Sequence, residues 1–239
     1  SIPIFLMTFD LLWNGCLDWL LPAHCCACGK SKVTPRHPIC YQCLAELNET
    51  EYEKADHQKL EKMFWGRIRL QTTLSLYPLK KGSPLQKILH QTKYHHRPSI
   101  GIYLGKLAGK KLTHHPILQD IDALVPLPLH PSKQRKRGYN QAEKISQGIS
   151  MTTGIPVWNN LVIRNQSTET QTRKDRGERW DNMSGKFSLR QHNAAHNKHL
   201  LLIDDVITTG ATLEACGQTL LQIPNARLSF FTLAHTETH

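Results

Sequence analysis

The run Leu200-Leu201-Leu202-Ile203-Asp204-Asp205-Val206-Ile207-Thr208-Thr209-Gly210-Ala211-Thr212 leaves the chain few folds to choose from. Four apolar residues make a short buried strand, two acids stand at its carboxyl end, and a hydroxyl-rich turn around Gly210 opens a helix near Ala211. A buried strand running straight into a helix belongs to an open parallel sheet, where ligands collect outside the carboxyl ends of the strands. A helix N-terminus offers unpaired N–H groups and a positive dipole end, so it holds a phosphate without any cationic side chain. Thr208, Thr209 and Thr212 add hydroxyls, and Gly210 lets the backbone approach closely. Asp204 and Asp205 would repel phosphate but suit vicinal ribose hydroxyls, which donate hydrogen bonds to carboxylates. The stretch therefore predicts a site for a phosphorylated sugar. An ATPase strand ending in two acids is the alternative, and it needs a P-loop. Gly29-Lys30-Ser31 imitates the end of one, but His24 stands where the first glycine is required.

A chain of 239 residues accommodates one α/β domain and a small accessory module. Its apolar N-terminal stretch from Phe9 to Leu21 is interrupted by Asp10 and Asp18 and has no basic region before it, which argues against a signal peptide. Without an uncharged apolar run of about 18 residues, no membrane span is expected, and the reading is of a cytoplasmic protein. Phe9, Leu12, Trp13, Cys16 and Leu20 recur at helical spacing and predict a short docking helix. The net charge of +11, from 30 basic against 19 acidic residues, favours polyanionic ligands, either small phosphates or nucleic acid.

Cys25-x-x-Cys28 and Cys40-x-x-Cys43 are two knuckles whose separation closes a tetrahedral thiolate site, and a segment this short has little core of its own. Disulfides are the competing reading, disfavoured in a cytosolic enzyme-like chain. We assign Cys25, Cys28, Cys40 and Cys43 to one structural zinc, with Cys26 as a competing ligand and His24 as a bystander. The domain boundaries that follow are 1–48 for the helix and zinc module, 49–67 for a linker and 68–239 for the α/β domain.

The remaining elements fall between these landmarks. A strand is predicted from Ile68 to Tyr77, a helix capped by Ser83 and begun by Pro84, and a second helix from Ser99. Between the two helices, Lys93-Tyr94-His95-His96-Arg97 is either a solvated helix end or a ligand contact. A second buried strand, Ile121 to Val125, leads into Lys133-Gln134-Arg135-Lys136-Arg137-Gly138, read as opening one helix that runs to about Thr152. Those cations at a strand-to-helix crossover suit a pyrophosphate. Residues 164–185 are polar and rich in Arg and Lys, the composition of a mobile loop.

The acid pair with its threonine turn resembles the phosphoribosyl-pyrophosphate (PRPP) signature of the type I phosphoribosyltransferases. Together with Val125-Pro126-Leu127-Pro128, Arg135-x-Arg137-Gly138-Tyr139-Asn140-Gln141, the pattern from Thr168 through Gln171, Arg176 and Arg179 to Phe187, and the double knuckle, it is similar to the ComF family. That resemblance implies a doubly wound, mainly parallel phosphoribosyltransferase fold behind a zinc-binding module, and an association with DNA uptake in competent bacteria. It implies that Asp204 and Asp205 hold the ribose, that Thr208, Thr209, Gly210, Ala211 and Thr212 hold the 5-phosphate, and that Arg173 and Arg176 belong to a lid over the pyrophosphate.

If the chain is an enzyme, the reaction is phosphoribosyl transfer, with Asp204, Asp205, Arg135 and Arg137 as its catalytic groups. The transfer passes through a positively charged sugar ring and needs magnesium on the leaving pyrophosphate, held mainly by ligand oxygens and water. The acceptor is not written in the residues. The alternative class is a non-catalytic PRPP sensor that holds single-stranded DNA or a protein of the uptake machinery, such as its helicase. Aromatic residues beside basic ones, Trp65 by Arg67 and Tyr139 by Arg137, suit backbone binding with base stacking.

Overall fold

Four apolar runs line up as one parallel sheet, because each is too continuously hydrophobic to leave either face in water. The computed structural model describes residues 23–34, 36–47, 54–94, 97–113, 115–165, 186–190 and 192–236. Within them the sheet strands are β3 (Thr73–Pro78), β4 (Ala123–Pro126), β7 (His199–Ile207) and β8 (Arg227–His235), in the order β3-β8-β7-β4. Leu201 and Leu202 pair with Leu124 and Val125 on one side and with Ser229 and Phe230 on the other. Val157 adds a further parallel bridge to Leu124 at the β4 edge.

Helices cover both faces. On one side α3 (Pro84–Tyr94), α4 (Pro98–Leu112) and α6 (Gln141–Thr153) bury Leu85, Ile88, Ile100, Leu104, Ile145 and Ile149 against Leu74, Ile203 and Phe231. On the other, α2 (Lys54–Lys62) and α7 (Ala211–Leu220) bury Leu60, Leu213, Cys216 and Leu220 against Leu200, Leu202 and Phe230. The alternation of strand side chains between faces produces this split. A short antiparallel pair, β5 (Val162–Arg164) with β6 (Phe187–Leu189), packs beside α7.

The N-terminal module consists of β1 (Ala23–His24), β2 (Lys32–Val33) and α1 (Tyr41–Ala45). It shares the first core: Cys25, Cys26, Ile39, Cys43 and Leu47 are buried with the α3–α4 residues, and His37 meets Tyr103 of α4 edge-on at 5.7 Å.

Several boundaries differ from the sequence reading. β3 begins at Thr73 instead of Ile68, because residues 63–70 turn and pack along α7. Helix α4 starts at Pro98, whose fixed φ suits the first helical position. The single helix expected from the basic run to Thr152 is two: α5 (Pro131–Arg137) stops at left-handed Gly138 (φ 76°), and α6 restarts after Asn140. Asn140 Oδ1 accepts from the Ala142 N–H at 3.1 Å, the capping that restarts the helix. Strand β7 runs through both acids to Ile207 instead of ending before them. The predicted docking helix and the Arg173–Arg176 lid lie outside the described residues.

Candidate functional site

The site is assembled at the carboxyl ends of β7 and β4. Asp204 and Asp205 occupy successive positions of a continuing strand, so they diverge. Asp205 reaches Lys93 at the end of α3, with Nζ 2.7 Å from Oδ2. Asp204 lies on the α7 side, close enough to Cys216 to help burial push that thiol up. Asp204 Oδ1 accepts from the Asp205 backbone N–H at 2.8 Å. Burial first, and the adjacent Asp205 carboxylate second, raise Asp204 well above the usual carboxylate range, with Lys93 pulling the other way.

Beyond Ile207 the chain bends through Thr208 and Thr209, both exposed, into Gly210 at φ 72° and then α7. Gly210 supplies no side-chain cap to the α7 N-terminus; the Ala211 N–H donates weakly to Thr209 Oγ1 at 3.5 Å, and the N–H groups that follow it in the first turn are available to a ligand. Thr212 is exposed in that first turn and Ala211 is half-buried. Gly210 is also needed for space: a Cβ here would stand 2.8 Å from the Phe64 ring and 3.2 Å from Met63 Sδ. Phe64 is held in turn by Phe230, edge-on at 5.0 Å. Arg67 pairs with Glu214 in the first turn of α7 and donates from Nη1 to the Met63 carbonyl at 3.0 Å. The turn following α2 therefore buttresses the loop at Thr208, Thr209 and Gly210 from outside the sheet, a contribution absent from the sequence reading.

Across the site, Leu127 donates its N–H to the Ile203 carbonyl at 2.8 Å, extending the β4–β7 pairing toward α5. Lys133, Arg135 and Lys136 are exposed on α5, whereas Arg137 is half-buried and donates to Gln141 Oε1 at 3.0 Å. Gln141 Nε2 donates to the Thr92 carbonyl at 3.2 Å, and the buried Tyr139 hydroxyl donates to the same oxygen. Burial raises Tyr139 to about 12, which keeps it a phenol donor. Asn140 Nδ2 donates to the Leu127 carbonyl at 2.9 Å. The basic run was legible as a charged segment; its anchorage through Tyr139, Asn140 and Gln141 to the end of α3 was not, because those contacts join segments distant in sequence.

The metal centre is separate. Cys25, Cys28, Cys40 and Cys43 place their sulfurs within 4.8 Å of one another. Cys28 and Cys40 are 3.9 Å apart, too far for a disulfide and close to the ~3.8 Å that tetrahedral Zn–S bonds of ~2.3 Å require. The Cys40 N–H points at Cys25 Sγ (3.3 Å), and Cys26 N–H to the Pro38 carbonyl (3.0 Å) ties the two knuckles together. Backbone N–H groups at Ser31 and Lys30 lower Cys28 to about 6, and that at Cys43 lowers Cys40, which favours thiolates at those two, while burial pushes the Cys43 thiol up. Cys26 stands outside the cluster, so it does not compete as a ligand. The four-thiol set fits a structural zinc.

An α/β domain with a parallel sheet covered by helices on both faces, fronted by a four-cysteine module, is the class these elements define. The chain is 33% identical over 157 residues to competence protein F of Haemophilus influenzae, a match spanning 63% of this chain and 68% of that protein. It belongs to the competence protein F (ComF) family. The DNA utilization protein YhgH of Escherichia coli K12 is 29% identical over 156 residues, covering 64% of this chain and 68% of its own. Among solved structures, the glutamine phosphoribosylpyrophosphate amidotransferase of B. subtilis, complexed with ADP and GMP, shares 18% identity with a TM-score of 0.41, covering 59% of this chain and 30% of that one. No family model matches the chain. Among the described residues, no helix is long and apolar enough to cross a membrane.

Proposed function

We propose that this chain binds PRPP with magnesium and acts as a phosphoribosyltransferase-type protein of DNA uptake or utilisation, in the cytoplasm. The observation that carries the reading is the acid-bearing strand β7, which passes through Thr208-Thr209-Gly210 into the N-terminus of α7. In this reading Asp204 and Asp205 accept from the ribose hydroxyls, while Thr208 to Thr212 and the first N–H groups of α7 hold the 5-phosphate. Arg135 and Arg137 stand on the α5 side for the pyrophosphate, and Arg173 and Arg176 close over it. Magnesium bound to the substrate's own oxygens would supply charge neutralisation for the leaving pyrophosphate. The chain's own part is to hold the sugar, exclude water and leave C1 open to an acceptor. Zinc at the four cysteines would keep the module folded against α4, remote from the chemistry.

A second reading keeps the site as a sensor and uses the surface for single-stranded DNA or an uptake protein such as a helicase. The exposed Trp65, with Lys62 5.9 Å from its ring centroid, favours it as a base-stacking platform beside the phosphate loop.

Calorimetric titration of PRPP with and without magnesium, followed by pyrophosphate release across a panel of bases, ammonia and DNA, tests both. Magnesium-dependent binding with acceptor-dependent release supports transfer; binding without release supports the sensor. The Asp204→Asn, Asp205→Asn pair should abolish PRPP binding under either reading and spare DNA binding under the second. DNA binding should weaken steeply with salt. No PRPP binding by the native chain sinks the central assignment.

A further inference from the structure

Lys93 is the cation the proposed site does not use, although its ammonium is the group in contact with Asp205. The contact is sheltered: the side chains of Lys93 and Asp205 are 26% and 13% exposed. Its position is fixed by its neighbour in sequence. Thr92 is buried, its hydroxyl donates to the Leu89 carbonyl at 2.7 Å, and its own carbonyl receives both Tyr139 and Gln141. Since Gln141 also accepts from Arg137, polar contacts run from α5 through Gln141 to the Thr92 carbonyl, one peptide bond from Lys93, whose ammonium meets Asp205.

Two adjacent carboxylates repel, and each turns toward water unless a cation holds it. Here the charged and titratable groups around the pair are Lys93 from α3 and Cys216 from α7, with Arg164 of β5 acting on Cys216 in turn. Lys93 is the one in direct contact, so it sets the direction of Asp205 and favours the ionised form of Asp204.

We infer that Lys93 is a positioning residue of the sugar-phosphate site, holding the Asp205 carboxylate in its binding orientation and tying that orientation to the basic helix α5 through Thr92. The inference rests on the PRPP reading above. It makes the ribose side and the pyrophosphate side one mechanical unit, since whatever moves Arg137 pulls on the backbone next to Lys93.

The test titrates magnesium and PRPP into the full chain and into Lys93→Met, Lys93→Arg, Asp205→Asn and the Lys93→Met, Asp205→Asn double variant, from mildly acidic to mildly alkaline pH. Lys93→Met should weaken binding about tenfold or more, the usual scale for truncating one partner of a sheltered charge pair. Its pH midpoint should move upward, because Asp204 loses the ammonium that favours its ionised form, and Lys93→Arg should recover most of the affinity. In the Asp205→Asn background, Lys93→Met should cost little more, since the two act as a unit. Native affinity and pH profile in Lys93→Met, or an undiminished loss in the Asp205→Asn background, overturn the inference. Melting temperatures of the same proteins provide an independent cycle: coupling between Lys93 and Asp205 is expected, and additivity refutes the positioning. A native chain that binds no PRPP overturns the substrate reading, while that melting cycle still decides the Lys93–Asp205 linkage.

Discussion

Gly210→Ala is the sharpest perturbation the structure offers. Gly210 has φ 72°, where an L side chain pays about 1–2 kcal/mol of backbone strain. The new methyl would also stand 2.8 Å from two carbons of the Phe64 ring. Phe64 is buried and set against Phe230, so it cannot swing away, and such overpacking costs about 1–3 kcal/mol. Against these, the stiffer unfolded chain returns about 0.4–1 kcal/mol. The expected net loss is about 1–4.5 kcal/mol, or, at about 2–4 °C per kcal/mol for a chain of this size, roughly 2–18 °C of melting temperature. Calorimetric melting measures it, and a cycle with Phe64→Leu separates the two causes. If the ring clash contributes as argued, the double variant should show about 1–2 kcal/mol of favourable coupling. A Gly210→Ala protein melting with the native chain, or strict additivity with Phe64→Leu, refutes the buttressing of this loop by the turn after α2.

Three further outcomes follow. Purified chain should carry about one zinc, which Cys43→Ser loses together with cooperative melting of the module, while Cys26→Ser retains the metal; elemental analysis and melting curves decide. Because the folded state raises Asp204 above its ordinary value of 3.8, the folded chain binds the extra proton above that pH. Stability from this group is therefore present at acid pH and lost as pH rises through the elevated value, so Asp204→Asn should stabilise the protein at neutral pH and flatten that slope, as denaturant titrations at several pH values would show. Tyr139→Phe should cost about 1 kcal/mol in the same titrations, since Gln141 still satisfies the Thr92 carbonyl.

What the sequence made legible is what depends on neighbours in the chain. The Ser83-Pro84 start is such a case: Ser83 Oγ accepts from the Gln86 N–H at 3.3 Å, as the local pattern required. The four-cysteine cluster is another, because its ligand spacing is itself the motif. The acid pair was legible as the end of a buried strand but not as a geometry. Its divergence follows from β7 continuing to Ile207, and that extension depends on β8, whose Thr232 and Ala234 pair with Asp204 and Val206. Lys93 and Phe64 were invisible as site neighbours for the same reason: each reaches β7 or its loop from a segment more than a hundred positions away. Neither contact leaves a periodicity to read.

The strand order has a consequence for how the molecule comes to exist. β8 lies in the middle of the sheet, between β7 and β3, and Phe230 pairs with Thr73 on one side and Leu202 on the other. The earliest sheet strand in the chain can thus be secured only by the latest, and closing so long an intervening loop is a slow, entropically expensive event. Until it happens, β7 has β4 for company but no support on its other edge, and the two acids have no fixed relation to each other. A nascent or half-folded chain would present an apolar, unpaired strand edge where the finished protein holds its proposed sugar-phosphate site, which makes the same few residues a point of exposure to misassociation during synthesis.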